Sequence, residues 1–139
     1  MGGKEAGSHQ VDTHLPEEMG SITASRDMTR QALEECGYRG RHDDVLLVVS
    51  ELVTNALVHG DGRPWLRVRG GASRVRIEVS DLGPDLPRLR DPGPANGWGL
   101  HVVRMLSTDW GIAPAEGGKV VWCELVANLA PLPAYPFEA

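Results

Sequence analysis

The sequence predicts an α+β domain, a two-layer sandwich with three helices on one face of a mixed, mostly antiparallel sheet of four or five strands. Three observations carry this expectation. Apolar residues recur at helical spacing in three stretches, around 24–36, 45–57 and 100–106. They alternate with period two in 73–80 and again in 119–126. Finally, the elements come in the order helix, helix, strand, strand, helix, strand, strand, with short connections that suit antiparallel neighbours.

Each element follows from local chemistry. Residues 1–20 are polar, glycine-rich and aperiodic, and are expected to form a flexible leader. The first helix begins near Ser21, with Thr23 or Ser25 as its cap. Ala24, Met28, Ala32, Leu33 and Cys36 form its apolar stripe, and Gly37 lies just past its end. Asp43 or Asp44 caps the second helix, which stops at Gly60-Asp61-Gly62. Two strands follow, Pro64 to Arg69 and Ser73 to Ser80, joined by a turn at Gly70-Gly71. From Gly83 to Gly99 the density of proline and glycine predicts a loop. Helical spacing resumes at Leu100, with Val102, Val103, Met105 and Leu106. Two last strands are expected near Trp110 to Ala113 and Lys119 to Val126. Residues 127–139 form a proline-rich tail with Pro131, Pro133 and Pro136. The folded domain is thus expected over 21–126.

With 139 residues, 41% of them hydrophobic, the chain fits one domain that buries about two thirds of its unfolded surface. Its 14 basic and 19 acidic residues give a net charge of -5, which argues against a general nucleic-acid binder. The 2 cysteines, Cys36 and Cys123, read as small core residues of a reducing compartment. The longest wholly aliphatic run, Val45 to Val49, is too short to span a bilayer, and the N-terminus lacks the apolar core of a signal peptide. A cytoplasmic protein without membrane association is expected.

The most informative stretch is Glu51-Leu52-Val53-Thr54-Asn55-Ala56-Leu57-Val58-His59-Gly60. Steps of four residues advance about 40° around a helix, so Glu51, Asn55 and His59 share a stripe roughly 80° wide, at one edge of the apolar arc. Half-buried polar groups of this kind call for a partner. Mg²⁺ takes few oxygen ligands from protein and the rest from water and phosphates, so one Asn carbonyl oxygen suffices to help hold it. Glu51, about 6 Å away, could orient a hydroxyl or accept its proton. A solvated helix edge is the bland alternative.

Two further segments suit a phosphate ligand. Gly97-Trp98-Gly99-Leu100 opens a helix whose free N–H groups and dipole favour an anion, although such glycine pairs also serve as plain turns. Period two places Asp81 on the apolar face of its strand, beside Leu82-Gly83. There it could accept from an adenine amino group, or make an Asx turn at the strand end.

Taken in order, Glu51 and Asn55, then Asp81-Leu82-Gly83-Pro84, then Gly97-Trp98-Gly99-Leu100, the chain resembles the Bergerat (GHKL) ATP-binding fold of gyrase-type ATPases and histidine kinases. Within that superfamily it most resembles the anti-sigma factor serine/threonine kinase-like group, to which Gly118-Lys119-Val120-Val121-Trp122-Cys123-Glu124-Leu125 adds a similar closing strand. The resemblance implies that Asn55 coordinates Mg²⁺ and that Glu51 is the general base. It further implies that Asp81 holds the adenine amino group, and that Gly83, Gly97, Gly99 and Leu100 accommodate base and phosphates. Pro84 to Asn96 would form a lid from which Arg88 and Arg90 could reach the terminal phosphate.

Two positions depart from the pattern. Asp85 stands where the Asp-x-Gly-x-Gly box has its second glycine. Val120 stands where relatives often carry an adenine-binding Thr, and the loss of one hydrogen bond costs about fivefold in affinity.

The function implied is a Mg²⁺-ATP-dependent kinase that phosphorylates a Ser or Thr on an anti-anti-sigma protein and sequesters a sigma factor. A nucleotide-binding or decayed-pocket partner switch without catalysis is the alternative. The catalytic half of a histidine kinase is disfavoured, because no dimerisation helix with a phosphoacceptor His is present. The exposed side of the first helix and the 37–41 loop are the expected partner surface, and a second copy of the chain is a further candidate partner.

Overall fold

In the computed structural model, which describes residues 9–83 and 99–128, the chain leaves the first helix at Gly37 in the left-handed conformation, φ 69°. The cap N–H bonds back to the carbonyls of Leu33 and Glu34, a stop that glycine adopts without a Cβ penalty. Helix α1 is therefore Gly20–Cys36, and α2, His42–His59, ends at Gly60. Neither helix has the expected side-chain cap. Met19 and Arg41 occupy the N-cap positions, Ser25 is buried within α1 and bonds the Ile22 carbonyl, and Asp43 and Asp44 lie in the first turn of α2, where their charge suits the dipole.

Five strands form one sheet: β1 His9–His14, β2 Trp65–Gly70, β3 Arg74–Asp81, β4 Asp109–Ala115 and β5 Gly118–Val126. Their order is β1-β2-β3-β5-β4, and every pairing among the described residues is antiparallel. Helix α3, Gly99–Leu106, connects the β3 side of the chain to β4.

The strand β1 replaces, over His9–His14, part of the leader expected over residues 1–20. His9, Val11 and Thr13 are half-buried while Gln10, Asp12 and His14 are exposed, an alternation that one valine among polar residues is too weak to announce. Leu15 then enters the core, and its N–H bonds the Pro64 carbonyl at 2.7 Å.

The inner face of the sheet carries Leu66, Val68, Val75, Ile77, Val79, Val121, Cys123 and Leu125, all buried. Against it lie Ala32 and Leu33 of α1, Val45, Val48, Val49, Leu52, Val53 and Ala56 of α2, and Leu100 and Val103 of α3. Each fully buried Val or Leu is worth about 1.5–3 kcal/mol relative to exposure, so this layer fixes where α2 and α3 stand over β3 and β5. Helix α2 packs against α1, α3 and β3, and so occupies the centre of the helical layer.

The outer face is polar and aromatic. Arg76 bonds Glu78 at 2.8 Å and Glu124 at 2.9 Å and stacks over Trp122, while Arg67 stacks over Trp65. These half-exposed pairs cover apolar rings without a second layer of backbone.

Candidate functional site

Because β3 has period two, its last residue, Asp81, lands on the inner face with Val75, Ile77 and Val79. Its register partner on β5 is Lys119, which shares the inner phase of Val121, Cys123 and Leu125. The two meet there: Lys119 Nζ lies 2.7 Å from Asp81 Oδ1, with side chains only 4% and 2% exposed. The ammonium also donates to the Gly83 carbonyl at 3.2 Å, and the Gly83 N–H donates to the same Asp81 Oδ1 at 2.7 Å. The last bond is the Asx turn left open by the sequence, so Asp81 closes its own strand end and pairs a cation at once.

Three glycines pack against Asp81, two at its carboxylate and one at its backbone. A Cβ on Gly60 would run into the Asp81 side chain, one on Gly118 would run into the Asp81 backbone carbonyl, and one on Gly83 would stand 3.0 Å from Asp81 Oδ1. Gly60 thus does more than end α2. It lets the helix terminus approach the strand end closely enough to cover the Asp81–Lys119 pair.

Glu51 and Asn55, four residues apart on α2, are both half-buried, and His59 is exposed. Among the described residues neither Glu51 nor Asn55 has a side-chain hydrogen bond or ion pair. Half-buried oxygens without protein partners fit a role towards a ligand or its metal. Among the described residues no group of three or more His, Cys, Asp or Glu is placed to hold a metal. Gly99 is the first residue of α3, and Leu100 is buried beside it. Gly97, Arg88, Arg90, Asp85 and the whole of the expected lid lie outside the described residues.

Two placements differ from the sequence reading. Val120 is on the outer phase of β5, paired with Ser80 and Ala113, so its side chain does not face Asp81; the residue that does is Lys119. In addition, a cavity of about 490 Å³ opens on the outer face of the sheet, bordered by His14, Trp65, Arg67 and Val120 and touching Asp81 and Lys119 at one end. Its lining includes neither Glu51 nor Asn55. Gly60 and Gly118-Lys119 were expected as a helix stop and as part of a closing strand, not as residues of the site. The signal for Lys119 was present, since the alternation that flags Asp81 also sets a lysine among the inward residues of β5.

A profile of the histidine kinase-like ATPase domain matches residues 15–125. The chain belongs to that family. Among solved structures, the RsbU and RsbW domains of Rv1364c from Mycobacterium tuberculosis superpose with a TM-score of 0.65 at 20% identity, over 91% of this chain and 35% of that one. This histidine kinase-like ATPase domain therefore spans about a third of that protein's length. The catalytic domain of histidine kinase ThkA is similar at a TM-score of 0.48 and 17% identity, over 85% of this chain and 96% of that one. No curated protein matches the chain. At 20% identity the likeness to the Mycobacterium tuberculosis domains shows the fold alone.

Proposed function

We propose that the protein is a Mg²⁺-ATP-dependent serine/threonine protein kinase of the anti-sigma factor type. Its substrate would be a hydroxyl on an anti-anti-sigma partner, and its second partner a sigma factor held when that antagonist is modified. The observation that carries the reading is the pair Glu51 and Asn55, half-buried one turn apart on α2 and unpartnered among the described residues, in a chain of the histidine kinase-like ATPase family.

In this mechanism Asn55 contributes an oxygen to Mg²⁺, which when bound neutralises phosphate charge. Glu51 accepts the proton of the partner hydroxyl as its oxygen bonds the terminal phosphorus and the bond to the leaving ADP oxygen breaks. The start of α3 at Gly99 offers backbone N–H groups to phosphate, and Asp81 accepts from the base. The RsbW domain in the similar Mycobacterium tuberculosis structure supports a partner-switching role. No described helix is long and apolar enough to cross a membrane, and the two cysteines are free and buried, which is consistent with a cytoplasmic setting. The exposed side of α1 and the 37–41 loop remain our candidate docking surface.

The test is transfer of the terminal phosphate of labelled ATP to candidate antagonist proteins by the wild type and by Glu51→Ala. Labelling by the wild type that falls at least about a hundredfold in the variant is expected for a lost general base. Equal labelling would remove Glu51 from the chemistry.

A second reading, a partner switch that binds nucleotide without transferring phosphate or whose pocket has decayed, is favoured by one observation. The carboxylate assigned to the base is already paired with an enclosed lysine.

A further inference from the structure

The buried Asp81–Lys119 pair gives the base subsite a feature that a lone carboxylate lacks. An ammonium carries three protons. Two are directed at Asp81 Oδ1 and the Gly83 carbonyl, at 2.7 and 3.2 Å. Both described bonds to the Asp81 carboxylate fall on Oδ1, so among the described residues Oδ2 is the acceptor left for an incoming donor. An acceptor and a cationic donor are thus held side by side, nearly excluded from water, at the strand ends that α2 covers through Gly60. The 6-amino group of adenine is a donor flanked on the same ring system by acceptor nitrogens, N1 on one side and N7 on the other. A base that donates its amino group to Asp81 brings one of those nitrogens to Lys119.

We propose that Lys119 is a base-specificity residue that donates a charge-assisted hydrogen bond to a ring nitrogen beside the 6-amino group of adenine, while Asp81 accepts from that amino group. The proposal rests on the reading that this site takes a nucleotide. It also assigns Lys119 a ligand role in place of the role of internal competitor that closure of the pair on Asp81 would otherwise suggest. Hydrogen bonds from a charged donor are about twice as strong as neutral ones, so the contact should dominate base affinity.

The experiment is calorimetric titration of the wild-type protein with Mg²⁺-ATP, Mg²⁺-1-deaza-ATP and Mg²⁺-7-deaza-ATP, repeated on Lys119→Gln. Each deaza analogue keeps the amino group and replaces one flanking nitrogen with C–H. The expected result is that one analogue binds the wild type about tenfold or more weaker than ATP, and that Lys119→Gln brings ATP and that analogue to within about twofold of each other. Equal binding of all three nucleotides by the wild type, or a preference that persists in Lys119→Gln, would overturn the role of Lys119 and leave the nucleotide site standing. Failure of the wild type to bind ATP at all would overturn the nucleotide reading, and this proposal with it. The wild-type comparison needs no variant, so equal binding refutes the proposal even where Lys119→Gln folds poorly.

Discussion

At the carboxylate of Asp81, three contributions converge: Gly60 from the end of α2, Gly83 from the turn after β3, and Lys119 from β5. Asp81 itself was legible in the sequence, because a polar residue in the apolar phase of a strand stands out against Val75, Ile77 and Val79. Lys119 was legible by the same rule, whereas the family resemblance points to Val120, where relatives often carry a hydroxyl. The register of β3 against β5 decides between them. Cys123, two inward positions along β5 from Lys119, shows how dry this side of the sheet is. Burial pushes its thiol up to about 12, against a smaller lowering influence from Ser107. The sign follows directly: the folded state holds this proton more tightly than an unfolded chain, in which a thiol titrates near about 8.5. The stabilising contribution is therefore complete below that value and is lost as pH rises towards the folded value. Urea unfolding followed from pH 8 to 11 should show wild-type stability falling more steeply than that of Cys123→Ala, and parallel slopes would contradict the burial.

Among the elements, the helices and the inner strands were readable because their apolar spacing is dense. Helix α2 carries eight buried residues in eighteen, and β3 alternates without a break. What escaped was β1, whose only strong apolar residue is Val11, and the cap positions, where Met19 and Arg41 stand at the helix starts without a side-chain capping hydrogen bond. Packing against β2 and the helical layer forms these features, and no local signal does. The end of α2 lies between the two cases. Gly60 was read as a helix stop, yet its backbone is extended (φ −95°) and any residue could adopt it. The requirement is steric, because a Cβ would meet the Asp81 carboxylate and the Ala56 carbonyl. Gly60→Ala is accordingly expected to destabilise the fold by about 1–3 kcal/mol in urea titration and to weaken Mg²⁺-ATP binding through Asp81. Unchanged stability together with unchanged affinity would show that the helix end does not press on the site.

On the scale of the whole molecule, a single helical layer covers one face of the sheet, and the candidate groups lie on the helices of that layer and on the strands beneath it. Glu51 and Asn55 come from α2, Asp81 and Lys119 from the adjoining strand ends, and Gly99 and Leu100 from the start of α3. Helix α2 packs against both α3 and β3, so the elements that carry these segments, scattered between residues 51 and 119, adjoin one another. The sequence could supply the order of the motifs but not the ion pair, since pairing across β3 and β5 joins residues 38 positions apart. The central claim is that these segments bind a nucleotide through Asn55 on the metal side and Asp81 on the base side. Calorimetric titration with Mg²⁺-ATP of wild type, Asn55→Ala and Asp81→Asn tests it most directly. Measurable binding by the wild type, weakened about tenfold or more in each variant while circular dichroism shows both folded, is the result predicted. Equal affinity in all three proteins, or no binding by the wild type, would contradict it.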